Sequence, residues 1–282
     1  MEHINTPMNY TGSKYKLLEQ LLPEFDYTKS IFLDIFTGGG SIYTNILDKF
    51  DKVIVNDIIK DLVGIHEGIM NNDEIIELTK NACPNKEDSS SFAKLRDDYN
   101  NDPEPYKLWA LMLSSTNNMI RFNKKFKYNQ TWGKRSYNKN IEKKLITYKE
   151  HIRQYKDKVK YISKSFNDIE IYKNAFYYID PPYGYIEVSN GEIGKRQISE
   201  AGYNSLYYQK DDIDLYNYCH RINKMGSTFV ISGVLEHGGE TSWLLNKLIN
   251  DGFNYKELTF DYEKVNKSTL NKGTKEIIIK NF

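Results

Sequence analysis

The chain of 282 residues holds only two cysteines, Cys83 and Cys219, and seven prolines. Two thiols are too few for a disulfide framework or a cysteine-built zinc site, and they suit a reducing compartment. No apolar run approaches the ~18 residues that a membrane span needs, and the opening Met1-Glu2-His3 has no signal-peptide character. These absences predict a soluble, cytoplasmic protein without a membrane partner. An excess of one charge is lacking too, with Lys+Arg at 39 and Asp+Glu at 38. Aromatic residues, by contrast, are plentiful. They make up 14% of the chain, with 23 tyrosines, and the 39% hydrophobic content supplies enough apolar surface for a substantial core. The length suits one elaborated domain, or a core with one sizeable insertion.

The balanced total conceals a split. Residues 121–160 carry 14 Lys/Arg against three acids, Glu142, Glu150 and Asp157, a net charge of +11 that leaves −10 on the rest. A solvated basic helix pair would look similar on charge alone. Here, however, Phe122, Asn123, Phe126, Tyr128, Asn129, Trp132, Tyr137 and Asn138 lie between the cations. Cations bind phosphates, amides read base edges, and aromatic faces stack on bases. Nucleic acid is the predicted partner.

The apolar run 31–36 predicts a strand stopped by Thr37-Gly38-Gly39-Gly40, after which Ser41 caps a helix through about Phe50. Residues 53–55 predict a second strand ending at Asn56-Asp57, with a helix from Ile58 towards Met70. Strand, glycine turn, helix and strand form a βαβ unit, which implies parallel pairing. Residues 71–118 read as helical, with Asp102 capping a helix that has Pro103 at its first position. Loops or a hairpin are expected over 121–140 and a helix over 141–156. Strands follow at 159–163 and 174–179, then a long mobile loop at 184–210. A helix (211–225), a strand (228–232), a helix (241–251) and strands at 254–260 and 275–280 complete the pattern. The predicted fold is α/β, with a body formed by 1–57 and 159–282 around a mainly helical, basic insertion at 58–158.

Two segments carry the chemistry. Glycines after a parallel strand allow a tight turn and close approach of a ligand, and Asp57 ends the next strand, where a carboxylate meets ribose hydroxyls. The dinucleotide pattern GxGxxG would need glycine at position 43, and Tyr43 stands there. A nucleoside cofactor without pyrophosphate, of which S-adenosylmethionine is the common candidate, fits better than NAD; packing alone is the other reading of the turn. The second segment is Asp180-Pro181-Pro182-Tyr183, either a proline-fixed turn or a site. An exocyclic base amine is a poor nucleophile because its lone pair is delocalised into the ring. A carboxylate and a fixed backbone carbonyl, each accepting one N–H, favour the pyramidal amine that attacks a methyl sulfonium. The carbonyl of Pro181 is stiffened by its proline context, and Tyr183 is placed to stack on the base, so catalysis would be positioning and electrostatics. Neither cysteine follows a proline, as a cytosine C5 nucleophile would. His66 and His151 read as surface or satisfied helix residues, Trp109 as core, and Trp132 as the tryptophan worth testing. No metal-ligand rhythm is present, so no metal is expected.

In order along the chain, Tyr10-Thr11-Gly12-Ser13-Lys14, Phe36 to Gly40, Asn56-Asp57, Arg121-Phe122-Asn123, Gly133-Lys134-Arg135, Asp180 to Tyr183 and Lys275 to Ile279 resemble the DNA adenine methyltransferase (Dam) family, in the alpha order of amino-methyltransferases. The resemblance implies a Rossmann-like S-adenosylmethionine-dependent methyltransferase sheet with an inserted DNA-recognition domain, acting on adenine N6 in duplex DNA. Tyr10 and Lys14 would close over the methionine part of the cofactor, Asp34, Phe36, Gly38 and Gly40 would line it, and Asp57 would hold the ribose. Phe166 would lie against the cofactor adenine, and Asp180 would contact both the cofactor side and the target amine. Arg121, Asn123, Lys134, Arg135 and Asn138 would face DNA, with Arg135 matching an arginine that reads a guanine of GATC. Three departures stand out: Tyr10 replaces a common tryptophan, Ser165 a common aspartate, and residues 126–131 depart from the usual segment before the recognition glycine. N4-cytosine methylation, RNA methylation and a non-catalytic DNA-binding scaffold are the rival expectations.

Overall fold

The computed structural model describes residues 3–188, 191–196, 207–259 and 273–282. Strands in chain order are β1 (Ile31–Asp34), β2 (Lys52–Asn56), β3 (Val159–Ile162), β4 (Ala175–Ile179), β5 (Tyr185–Glu187), β6 (Ile193–Arg196), β7 (Thr228–His237), β8 (Glu240–Thr241), β9 (Asn254–Glu257) and β10 (Thr274–Lys280). The α-helices are α1 (Leu18–Leu21), α2 (Ser41–Thr44), α3 (Lys60–Asn71), α4 (Glu74–Ala82), α5 (Ser89–Asn101), α6 (Pro105–Ser114), α7 (Lys139–Ile152), α8 (Gln209–Lys224) and α9 (Trp243–Asn250). The fold is mixed α/β, as the sequence pattern requires. No described helix is long and apolar enough to cross a membrane, and Cys83 and Cys219 are both free thiols.

Two compact units divide the chain. The first joins Met1–Lys16 to Thr37–Ser165, and the second joins Leu17–Phe36 to Phe166–Phe282. In the first unit β2 pairs parallel with β3, Val53 opposite Val159. Helix α6 packs against α3, α4 and α5, and every residue from Leu108 to Ser114 is buried, Trp109 included. In the second unit β1, β4 and β7 run parallel, while β10 is antiparallel to both β7 and β9. Strand β4 is buried at every position, as a strand covered on both faces must be. Burying each Phe or Ile of these strands contributes roughly 1.5–3 kcal/mol, which fixes the strand ends where the candidate site residues stand.

Four sequence expectations are corrected. The helix after Ser41 stops at Thr44 rather than near Phe50. Asn45 turns its amide to Ser41 O (2.8 Å) and Ile4 O (3.0 Å), competing with helix propagation. Asp102 does not start a helix but caps the end of α5. The proline at the start of α6 is Pro105, not Pro103, because Pro105 holds Glu104 extended at φ −141° and ψ 143°. Within 184–210, β5 and β6 form an antiparallel hairpin and α8 begins at Gln209, so the segment is not one long loop; residues 189–190 and 197–206 lie outside the described residues. The strand at 228–232 continues to His237, where β10 and β8 pair with it. Phe260, expected to end a strand, also lies outside the described residues.

Candidate active site

In the first unit, the chain turns sharply at Thr37-Gly38-Gly39-Gly40, with Thr37 N–H donating to Asn56 O at 2.9 Å. Gly38 (φ +48°) and Gly40 (φ +76°) occupy the left-handed region that penalises a Cβ. Side chains of the same unit already fill the space a Cβ would take. A Cβ on Gly39 would lie 2.5 Å from Tyr10 Cβ, and one on Gly40 would lie 2.6 Å from His66 Cε1. Gly40→Ala is therefore expected to cost about 2 kcal/mol or more of stability, read as a lower denaturant midpoint at unchanged slope.

The polar groups of the turn are held as tightly. The buried Asp57 carboxylate accepts Gly38 N–H at 3.1 Å and Ile59 N–H at 3.0 Å. Burial pushes its pKa up to about 6. Gly38 O lies 2.9 Å from His66 Nε2, and a carbonyl only accepts, so Nε2 carries the proton. His66 Nδ1 must then accept from Tyr43 Oη at 3.0 Å, and Tyr43 in turn accepts from Tyr148 Oη at 2.8 Å. Burial pulls the imidazole pKa down to about 4, which keeps the ring neutral. Ser13, next to Lys14, meets Ser41 Oγ at 2.6 Å at the start of α2. Tyr10, Gly38, Gly40 and Asp57 thus converge, and Lys14 is adjacent in sequence to a residue on the same turn. His66 belongs with them too. Read from sequence as a surface or satisfied helix residue, it is fully buried and satisfied by the turn itself. A lone histidine in an apolar helix gives no sequence signal for that partner.

The second unit presents the other candidate residues at the carboxyl ends of parallel strands, the edge where open α/β sheets bind ligands. Register sets Asp34 of β1 opposite Tyr178 of β4, and Ile179 opposite Ile231 of β7. Asp180 leaves β4 with Ser232 beside it, and Ser232 Oγ donates to Asp180 Oδ1 at 2.9 Å. Tyr178 Oη, 2.8 Å from Ser232 Oγ, must then donate to it; burial holds that phenol well above its ordinary pKa, so its proton stays in place. The carboxylate is oriented by a two-step chain of hydroxyls, and Ser232 joins the candidate residues although the sequence did not reveal it. Pro181 and Pro182 are half-buried, while Tyr183 is exposed. Just beyond, Asp212 accepts Tyr185 N–H and Tyr207 Oη–H, both at 2.7 Å, anchoring the chain that leaves the tetrapeptide. The Phe36 and Phe166 ring centroids are 5.7 Å apart, and Phe166 meets Tyr218 edge-on at 5.9 Å.

The basic segment of the first unit folds back on itself through bridges between Phe122 and Tyr128 and between Ser115 and Trp132. Three of its five predicted DNA residues also build it. Arg121 donates to Asn129 Oδ1 (2.9 Å) and Asn129 O (2.7 Å). Asn123 Oδ1 accepts from the backbone of Lys125 and Lys127, and Asn138 caps α7 through Asn140 and Ile141 N–H. Lys134 and Arg135 are exposed. Lys134 Nζ stands 5.9 Å from the Trp132 ring centroid, and Arg135 Nη1 donates to Asn118 Oδ1 at 3.0 Å. That bond steadies the exposed guanidinium, a partner in Asn118 that the charge pattern did not show.

Residues 10–264 match the family model of the D12 class N6 adenine-specific DNA methyltransferase. The chain belongs to that family. It is 28% identical over its whole length to the modification methylase StsI of Streptococcus sanguinis, and 27% identical over 99% of its length to the type II methyltransferase M.FokI of Planomicrobium okeanokoites. The modification methylase LlaI of Lactococcus lactis subsp. lactis is 26% identical over 90% of this chain. The chain spans 43%, 43% and 41% of these three relatives' lengths, respectively. Within the D12 family, Asp180 to Tyr183 and the glycine turn at 37–40 are the candidate catalytic and cofactor segments.

Proposed function

We propose that the protein is a site-specific DNA methyltransferase that transfers a methyl group from S-adenosylmethionine to adenine N6 in duplex DNA, with 58–158 as its target-recognition insertion. The observation that carries this reading is the oriented Asp180 carboxylate at the head of Asp180-Pro181-Pro182-Tyr183, in a chain of the D12 family. The residues of the glycine turn fit the cofactor. A carboxylate has about four acceptor sites, so Asp57 retains capacity for a ribose hydroxyl beyond its backbone partners. When bound, S-adenosylmethionine supplies an electrophilic methyl group and leaves as S-adenosylhomocysteine.

The protein's own part is to place and polarise the amine. Adenine inside a duplex is out of reach, so it must be turned out of the stack, at a cost of roughly a few kcal/mol. Asp180 accepts one N–H of the exocyclic amine and the carbonyl of Pro181 the other. The nitrogen lone pair is thereby drawn out of conjugation, and Asp180 gives the departing proton a path to solvent. Tyr183, already exposed, stacks on the extruded base. Phe36 and Phe166, whose rings meet in the second unit, would take the cofactor adenine; Asp34 of that unit, and Tyr10 and Lys14 of the first, are the candidates for its amino-acid end. No step is assigned to a metal ion.

Exposed cations of 121–160 bind the DNA backbone, and binding weakens steeply with salt as counterions are released. Arg135 reads a base and Lys134 a phosphate. Arg135→Ala is expected to lower discrimination between target and non-target duplexes about 10- to 100-fold. Lys134→Ala should weaken all duplexes alike, and competition binding across a mutated-site series separates the two. The function itself is tested by labelled methyl transfer to a panel of DNA duplexes, GATC among them, and of RNA oligonucleotides, followed by nucleoside analysis. N6-methyladenine confined to one sequence supports the reading. N4-methylcytosine, methylated RNA or no product overturns it.

A further inference from the structure

We propose that His66 is a positioning residue for the cofactor turn, holding the Gly38–Gly39 peptide in the single orientation that binds S-adenosylmethionine. This rests on the assignment of that turn to the cofactor. A glycine in a left-handed turn is the residue most free to let its flanking peptides rotate. At Gly38 both flanking peptides are pinned. The preceding one is held through Gly38 N–H by Asp57 (3.1 Å), and the following one through Gly38 O by His66 Nε2 (2.9 Å). No cis peptide bond is present among the described residues, and in a trans peptide the C=O and N–H point in opposite directions. Drawing Gly38 O towards His66 therefore turns Gly39 N–H the other way, as a fixed donor.

Packing alone does not demand histidine at this place. The ring does fill the space beside Gly40, but a leucine would fill it as well. What leucine lacks is the N–H that a buried carbonyl requires. The ring's other partners accommodate the tautomer that Gly38 O requires. With Nε2 protonated, Nδ1 accepts from Tyr43 (3.0 Å), and Tyr43 can accept from Tyr148 on α7 (2.8 Å). His151, one turn further along α7, places Nε2 2.8 Å from Thr44 O. The basic helix thus grips the glycine turn and its short helix at two points.

The test is titration calorimetry of S-adenosylmethionine with the full chain. His66→Leu is expected to weaken binding at least about tenfold. His66→Gln, whose terminal amide N–H lies near the place of Nε2, should stay within about threefold of wild type, and Tyr43→Phe should fall between. Nitrogen-15 spectra of wild type should show a neutral ring protonated at Nε2. If His66→Leu does not fold, Gln rescue, Tyr43→Phe and the spectra decide the question. Wild-type affinity in folded His66→Leu, or a ring protonated at Nδ1, overturns the positioning role alone. A wild-type protein that binds no S-adenosylmethionine overturns the cofactor assignment, and this role with it.

Discussion

Asp180→Ala is expected to lower the rate of methyl transfer by at least about 10²- to 10³-fold, the loss typical of removing one preorganised group that stabilises developing charge. Affinity for S-adenosylmethionine and for duplex DNA should persist in part, because the glycine turn and the basic hairpin are each held by their own bonds. Asp180→Asn is the sharper variant. Its amide oxygen still accepts from Ser232, so the side chain keeps its orientation, but the negative charge that draws on the amine is gone. Single-turnover rates with preformed complexes separate this loss of chemistry from weaker binding. Near-normal turnover in either variant would remove Asp180 from the mechanism.

Affinity for S-adenosylmethionine is expected to fall about tenfold per pH unit below about pH 6, and to level off above it. The cause is Asp57, whose carboxyl is pushed by burial from the ordinary aspartate range up to about 6. Ribose hydroxyls donate hydrogen bonds and therefore favour the anion, so binding lowers this pKa and protons compete with the ligand. Linkage in the unliganded protein has the opposite sign. Burial disfavours the charged form, so this group's contribution to stability declines as pH rises from about 4 to about 6. Asp57→Asn should abolish the pH dependence of binding in this range and weaken affinity at pH 8 by about 1.5–3 kcal/mol, the worth of a hydrogen bond to a charged group. Calorimetric titrations at pH 5, 6, 7 and 8 check both. An unchanged profile in Asp57→Asn would remove the ribose role.

Much of the fold was legible because local and global signals agree. The apolar runs at β1 and β4 end at Asp34 and just before Asp180 in a parallel array, as the alternation of elements implied. The failures have physical causes. Asn45 spends its amide on backbone carbonyls and ends α2 early, a tertiary choice that composition cannot report. The β5–β6 hairpin lies in a Gly- and Asn-bearing stretch that reads as loop, yet Trp243 Nε1 donates to Gly191 O at 3.1 Å and ties it to α9. At the site, motif residues were visible because chemistry restricts them to few types. Their supports were not. Ser232 reaches Asp180, and His66 reaches Gly38, only through sheet register and helix packing across 52 and 28 positions of sequence. In the basic segment, charge drew attention to Arg121 and the interleaved amides to Asn123, and the bonds of both also shape the hairpin.

The most direct measurement is a crystal structure with a duplex carrying the target sequence and S-adenosylhomocysteine. The target adenine should stand outside the helix, its N6 within about 3.2 Å of both an Asp180 carboxylate oxygen and the Pro181 carbonyl, with Tyr183 against its ring. An adenine extruded into contact with other residues, with Asp180 beyond hydrogen-bond reach of its amine, would contradict the proposed chemistry at its centre.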